Sequence, residues 1–282
     1  MNPRQIPAEQ NRNTQSAIVS LLMGGLAVFQ FLIAVGQERE AFTTQKSESS
    51  TRELIPTDAA PKELKRLIEG GNVAVVYDSD PEFVKAARGW ADFHVHVRSS
   101  FKFDLAKTRQ NGRWNVKLDI TKLEPKIELT HLIRLPSTFK SPDVWGSRTL
   151  RHEFDHIAVS LDPRAMLLLR HLLVHLPVIE RTLEPKETPT NDLLTKLVDE
   201  EVVKRRQSVV ELMRQNNQRL DKLGVHGAEV VPNRATFFTQ LYTKENLAEM
   251  KFPFIEQVLD LLETAEYQQA ESPFLARDPA DR

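Results

Sequence analysis

The chain has 282 residues, 38 Lys and Arg against 39 Asp and Glu, a formal net charge of -1, and no cysteine. So balanced a chain carries no global field to hold a polyanion, which argues against nucleic-acid binding, and the missing cysteines exclude disulfide frameworks, thiolate metal sites and thiol nucleophiles. Charged residues at 27% and hydrophobic ones at 40% are proportions of a folded globular protein, and any metal must be held by Asp, Glu or the eight His.

Residues 17–35, AIVSLLMGGLAVFQFLIAV, hold no charge, and only Ser20 and Gln30 are strongly polar. A helix of that length spans about 28 Å, close to the hydrocarbon thickness of a bilayer. Arg4 and Arg12 lie in residues 1–16, whereas Gln37, Glu38, Arg39 and Glu40 follow the segment with no net positive charge. The positive-inside bias therefore predicts a cytoplasmic 1–16 and an exported body. Residues 17–36 read either as an uncleaved signal anchor, which their length favours, or as a cleaved signal, for which Ala34-Val35-Gly36 supplies small residues at a suitable spacing. The two readings place the body on the cell membrane as a single-pass protein, or free outside the cytoplasm.

Residues 37–60 are rich in Thr, Ser, Glu and Lys, with Pro56 as punctuation, and predict a polar linker. The folded body is expected from about Pro61, where PKELKRLIEGG reads as a short helix stopped by Gly70 and Gly71. Short strands follow at 72–77, 93–97, 101–105 and 114–120, the last after an Asn111-Gly112 turn signal, with a further strand at 127–135 ended by Pro136. Beyond Pro142 the period becomes helical. Helices are expected at 144–159, 164–176 and 191–223, the last with Leu193, Leu197, Val203, Val210, Leu212 and Leu220 on its apolar side. Strands first and helices after predict an α+β fold. Past Pro232, residues 254–265 form an amphipathic helix that could dock a partner or cover the core, and Ser272 opens a tail.

His152-Glu153-Phe154-Asp155-His156 is an H-E-x-x-H sequence within a predicted helix. Residues i and i+4 stack on one helix face, so both imidazoles can aim at one zinc ion, which takes nitrogen ligands at about 2.0–2.1 Å. Glu153 follows the first of these His, where it reaches a water on the metal rather than the metal itself and serves as general base. A catalytic zinc needs three protein ligands and an open position. Asp162 stands ten residues after His152, the spacing of the last ligand in metzincins, although Val159 occupies the turn where those proteins carry Gly. Asp162-Pro163 equally reads as a helix N-cap with Pro at the first helical position. Glu180 and Glu184 offer carboxylates further on, beside Pro177 and Pro185.

Leu135-Pro136, Trp145, the H-E-x-x-H helix and a later Leu220-Asp221-Lys222-Leu223-Gly224-Val225-His226-Gly227 together resemble a bacterial family of secreted zinc-dependent proteases, catalogued as a domain of unknown function. Its later element is Tyr-Asp-x-x-Thr-x-His-Gly, so Leu220 and Gly224 depart from it. The resemblance spans about residues 70–232. It implies a zincin-like domain over 61–232 and His226 as third zinc ligand, while 233–282, beyond the resemblance, read as a C-terminal helical extension and tail. Asp155 and Asp221 are candidate acceptors for an imidazole N–H that would fix which ring nitrogen faces the metal.

The other His carry less. His171 and His175 stand at i, i+4 without an accompanying carboxylate, near a helix end where the macrodipole favours a cation. His94 and His96 share one strand face, either polar sheet surface or the lining of a cleft, and His131 gives no signal. The expectation is an exported, membrane-anchored zinc metallopeptidase acting on peptide or protein substrates. The alternative is a non-catalytic envelope scaffold in which the metal is structural or absent.

Overall fold

Two alternating stretches flanking Asn111-Gly112 fold back on each other as one long ribbon: β3 (Trp90–Gln110) pairs antiparallel with β4 (Arg113–Pro136). Asn111 and Gly112 take φ of 51° and 77°, the left-handed pair that a two-residue hairpin turn needs. The computed structural model describes residues 52–273; segment 17–35, most of the linker and the end of the tail lie outside them. Among the described residues no helix is long and apolar enough to cross a membrane.

The remaining strands are β1 (Arg52–Leu54), β2 (Val73–Asp78) and β5 (Ile179–Thr182). The sheet runs β1-β2-β4-β3 with β5 joined to β4, and only the β2–β4 pairing is parallel. β4 is central because its two halves are flanked differently: residues 131–136 lie along β2 and residues 115–118 along β5. The sequence separates 93–97 from 101–105 and 114–120 from 127–135, whereas each pair is one continuous strand, and a bulge gives β4 one extra residue, Thr121, opposite Lys102 and Phe103. A bulge adds one residue to one strand and resets the alternation, so period-two counting breaks there. The body also begins before Pro61, since Arg52–Leu54 already pairs with β2.

The helices are α1 (Lys62–Gly71), α2 (Pro81–Ala86), α3 (Arg148–Ser160), α4 (Pro163–Val174), α5 (Asn191–Gly224), α6 (Arg234–Gln240), α7 (Lys244–Glu249), α8 (Ile255–Leu262) and α9 (Ala265–Gln268). The expected helix from Val144 starts later: Val144–Gly146 is a 3-10 turn, and Ser147 caps α3 by accepting from the Leu150 amide. The architecture is thus α+β, a mixed sheet with helices laid against it.

Cross-strand register puts Val75, Tyr77, Ile133, Leu135, Ala91 and Phe93 on one sheet face. Against that face pack Leu64 and Leu67 of α1 and Leu150, Phe154, Ile157, Ala158 and Val159 of α3. α3 is therefore apolar toward the sheet and carries its polar residues on the other side. α5 is about 51 Å long at 1.5 Å per residue. Its Leu194, Leu197 and Val198 cover the lower hairpin, and Val202, Val209, Leu212, Met213 and Leu220 join the main core. Leu197, Leu212 and Leu220 of the expected stripe are buried, whereas Val203 is exposed and Val202 takes its place in the core. Residues 234–267 are built into the same core through Phe237, Phe238, Tyr242, Phe252, Val258 and Tyr267, so position 232 divides no packing unit.

Candidate metal centre

α3 presents His152 and His156 one turn apart, and the C-terminal end of α5 presents Asn217 and Asp221 at the same spacing opposite them. His152 Nε2 and His156 Nε2 lie 3.2 Å apart, and each is 3.1 Å from Asp221 Oδ1. His152, His156 and Asp221 form the one metal-capable cluster of His and carboxylates among the described residues. His156 Nδ1 faces Asn217 Oδ1 at 3.1 Å. An Nδ1–H donated to that oxygen leaves Nε2 of the neutral ring as a lone pair, aimed where the other two donors aim.

Convergent lone pairs repel unless protons or a cation lie between them. A regular tetrahedron with bonds of about 2.0–2.1 Å has edges of about 3.3–3.4 Å, within a few tenths of the separations seen. Two imidazole nitrogens and one carboxylate oxygen are also a ligand set that zinc takes in catalytic sites. The residues present fit the ion.

The electrostatics are those of a tight cluster. Burial works against the charged form of His156, but the Asp221 hydrogen bond and the Glu153 and Asp221 charges outweigh it, and its pKa is raised. Burial likewise disfavours the Asp221 carboxylate, yet hydrogen bonds from His152 and His156 and their charges hold its pKa well below the usual carboxylate range. Glu153 is different. Burial dominates and raises its carboxyl to about 7 against the opposing pull of His156 and His152.

Glu153 projects from α3 toward the loop before β3, where Gly89 makes room for it: a Cβ on Gly89 would stand 2.4 Å from Glu153 Oε1. On the opposite flank the turn after α5 closes over His152. Val225, His226 and Gly227 have φ of 46°, 52° and 81°, and a Cβ on Gly227 would meet the His152 side chain at 3.0–3.1 Å. The glycine after His226 thus serves close approach to the first imidazole.

His226, implied as third ligand by resemblance, stands beside the cluster rather than in it: its Nδ1 is 3.4 Å from Asp221 Oδ1 and its side chain is 58% exposed. The third donor brought to the two imidazoles is Asp221, which the sequence offered as a hydrogen-bond acceptor. Asp155 accepts no imidazole N–H in this arrangement; Arg234 binds both of its oxygens. Asp162 is buried at the N-cap of α4, accepting from the Arg164 amide at 3.0 Å and paired with its guanidinium at 2.6 Å. Glu180 pairs with Lys117 on the hairpin at 3.0 Å, and Glu184 is exposed.

His94 and His96 lie on the sheet face opposite α3, and His171 and His175 turn to the carbonyls of Gln257 and of His171. His131 is structural: Nδ1 meets the Gly71 carbonyl at 2.5 Å and Nε2 meets Ser160 Oγ at 2.7 Å, tying α1 and α3 to β4. Sequence reasoning missed Asn217, Gly89 and Arg234. Asn217 was within reach, being four residues before Asp221, but Gly89 and Arg234 meet α3 only through tertiary packing. Two clefts of about 450 and 300 Å³, beside Trp145 and beside Phe252, lie away from these residues. Comparisons with protein families, curated proteins and solved structures return no match for this chain.

Proposed function

We propose that this protein is an exported zinc-dependent metallopeptidase with a zincin-like arrangement, held at the membrane by residues 17–35 if these are retained. The observation that carries this reading is the convergence of His152, His156 and Asp221 within hydrogen-bond distance of one another, next to a buried Glu153. His152, His156 and Asp221 would hold the ion, and Asn217 would fix the His156 ring by accepting its Nδ1–H. A bound zinc supplies Lewis acidity, polarising a scissile carbonyl and acidifying water in the site. Glu153 takes a proton from the attacking water and returns it to the leaving amine, a role its position after His152 suits. Substrates are peptides or proteins, and the resemblance to secreted zinc-dependent proteases supports the same reading.

The test is Glu153→Gln in the full chain. The variant is expected to keep its zinc and lose peptide hydrolysis by at least about 10²-fold. Hydrolysis at the wild-type rate would remove Glu153 from the chemistry.

A second reading, a non-catalytic envelope scaffold with a structural metal, is favoured by the low exposure of the metal-facing residues: His152 is 5% and His156 8% exposed. In that case Glu153→Gln leaves the cellular phenotype unchanged.

A further inference from the structure

Asp155 and Arg234 form a paired contact that the reading above does not use. Arg234 Nε lies 3.0 and 3.1 Å from the two Asp155 oxygens, and its Nη2 also meets Oδ1. The side chains are only 9% and 19% exposed, and the guanidinium lies 4.9 Å from the centre of the Phe238 ring. Two-pronged pairing and a ring beneath it fix a guanidinium in direction as well as distance. Arg234 opens α6, in the stretch beyond the resemblance, and Asp155 immediately precedes His156.

Successive residues on a helix are about 100° apart, so Glu153 leaves α3 on one side of the His152–His156 row and Asp155 on the other. One side is set by Gly89 against Glu153, the other by Arg234 on Asp155. Contacts on both flanks fix the rotation of α3 about its own axis. The sensitivity is large: a rotation of about 10° at a side-chain radius of about 6 Å moves an imidazole nitrogen by about 1 Å. Metal coordination tolerates about 0.2 Å.

We propose that Arg234 is a positioning residue: by clamping Asp155 it sets the rotation of α3, and so the point where the His152 and His156 nitrogens meet. This rests on the metal reading above, and it gives the C-terminal extension a part in building the metal centre. Arg234→Met alone leaves a buried carboxylate unpaired and destabilises the fold for that reason alone. The informative variant therefore combines Asp155→Asn with Arg234→Met, which removes both charges while leaving every metal donor in place.

In the full chain the double variant is expected to melt within about 3 °C of the wild type, yet bind zinc about 10–100-fold more weakly. Arg234→Lys, which keeps the charge but not the fork, is expected to lose less, about three- to tenfold. Its loss decides the question if the double variant does not fold. The metal-free proteins give an independent signature in the imidazole N–H resonances of His156. The wild type is expected to keep the Nδ1–H of His156 bonded to Asn217, its proton shifted downfield and slow to exchange, and the folded variants to lose that bond. Folded variants with wild-type zinc affinity overturn the proposal. Should the wild-type chain take up no zinc, the metal reading fails by itself, and an unchanged His156 Nδ1–H signal in the variants then overturns the positioning role.

Discussion

Gly89 and Glu153 meet so closely that the smallest side chain at position 89 has nowhere to go: its Cβ would stand 2.4 Å from Oε1 and 2.8 Å from Cδ. Gly89→Ala must push the carboxylate aside, at a cost of about 1–3 kcal/mol for overpacking. A displacement near 1 Å of a catalytic group costs about 10² in rate. The variant is therefore expected to keep its zinc and lose about 10²-fold in peptide hydrolysis, measured as kcat/KM beside metal content. Full activity would contradict the role given to Glu153. At this scale the sequence carried the two imidazoles and Glu153, because i, i+4 spacing on a helix is a local property. It offered His226 or Asp162 as third donor and Asp221 only as a hydrogen-bond acceptor, since the carboxylate brought to the two imidazoles comes from a helix 69 residues further on. The N-cap reading of Asp162 was visible in Asp-Pro and is what the structure has.

His131 joins three elements, and its environment gives a pH signature. Burial lowers its pKa from 6.5, against the Gly71 hydrogen bond and the Asp92 charge, which raise it, and with His94, which lowers it. A depressed folded-state pKa means the unfolded chain binds the proton more readily. The contribution of His131 is complete above about pH 6.5 and is lost as pH falls toward the folded value, by at most about 1.4 kcal/mol per pH unit. Urea unfolding of the wild type and of His131→Asn, from pH 5 to 8, is expected to show an advantage of the wild type that is constant at the alkaline end and shrinks below pH 6.5. A difference growing on acidification would contradict the sign. Among elements, the hairpin turn and α5 were legible from Asn-Gly and from helical spacing. The 21- and 24-residue lengths of β3 and β4 were not. Ser99-Ser100 and the bulge interrupt the apolar alternation, while the ladder of backbone hydrogen bonds runs on regardless. β5 was missed because Pro177 and Pro185 flank a four-residue strand held by β4.

Across the molecule, the helical layer brings the middle of α3 and the C-terminal end of α5 to a common point, and residues 234–267 brace that layer from behind. Arg164 donates to the Phe238 and Thr239 carbonyls, and Tyr242 donates its hydroxyl to the Val159 carbonyl at 2.7 Å, so the extension grips α3 and α4 by main-chain contacts. Composition and element order were enough to read α+β, because period changes are visible in the sequence. That the extension belongs to the core was not, since an amphipathic helix does not say what covers its apolar face. The central claim is that His152, His156 and Asp221 hold one zinc ion while His226 lies outside its ligands. Its most direct measurement is bound zinc per chain after exhaustive dialysis in non-chelating buffer, for wild type, Asp221→Ala and His226→Ala. The expected result is one zinc per chain in the wild type and in His226→Ala, and a loss of most of it in Asp221→Ala. A wild-type chain without zinc, or a pattern in which His226→Ala loses the ion and Asp221→Ala keeps it, would contradict the claim.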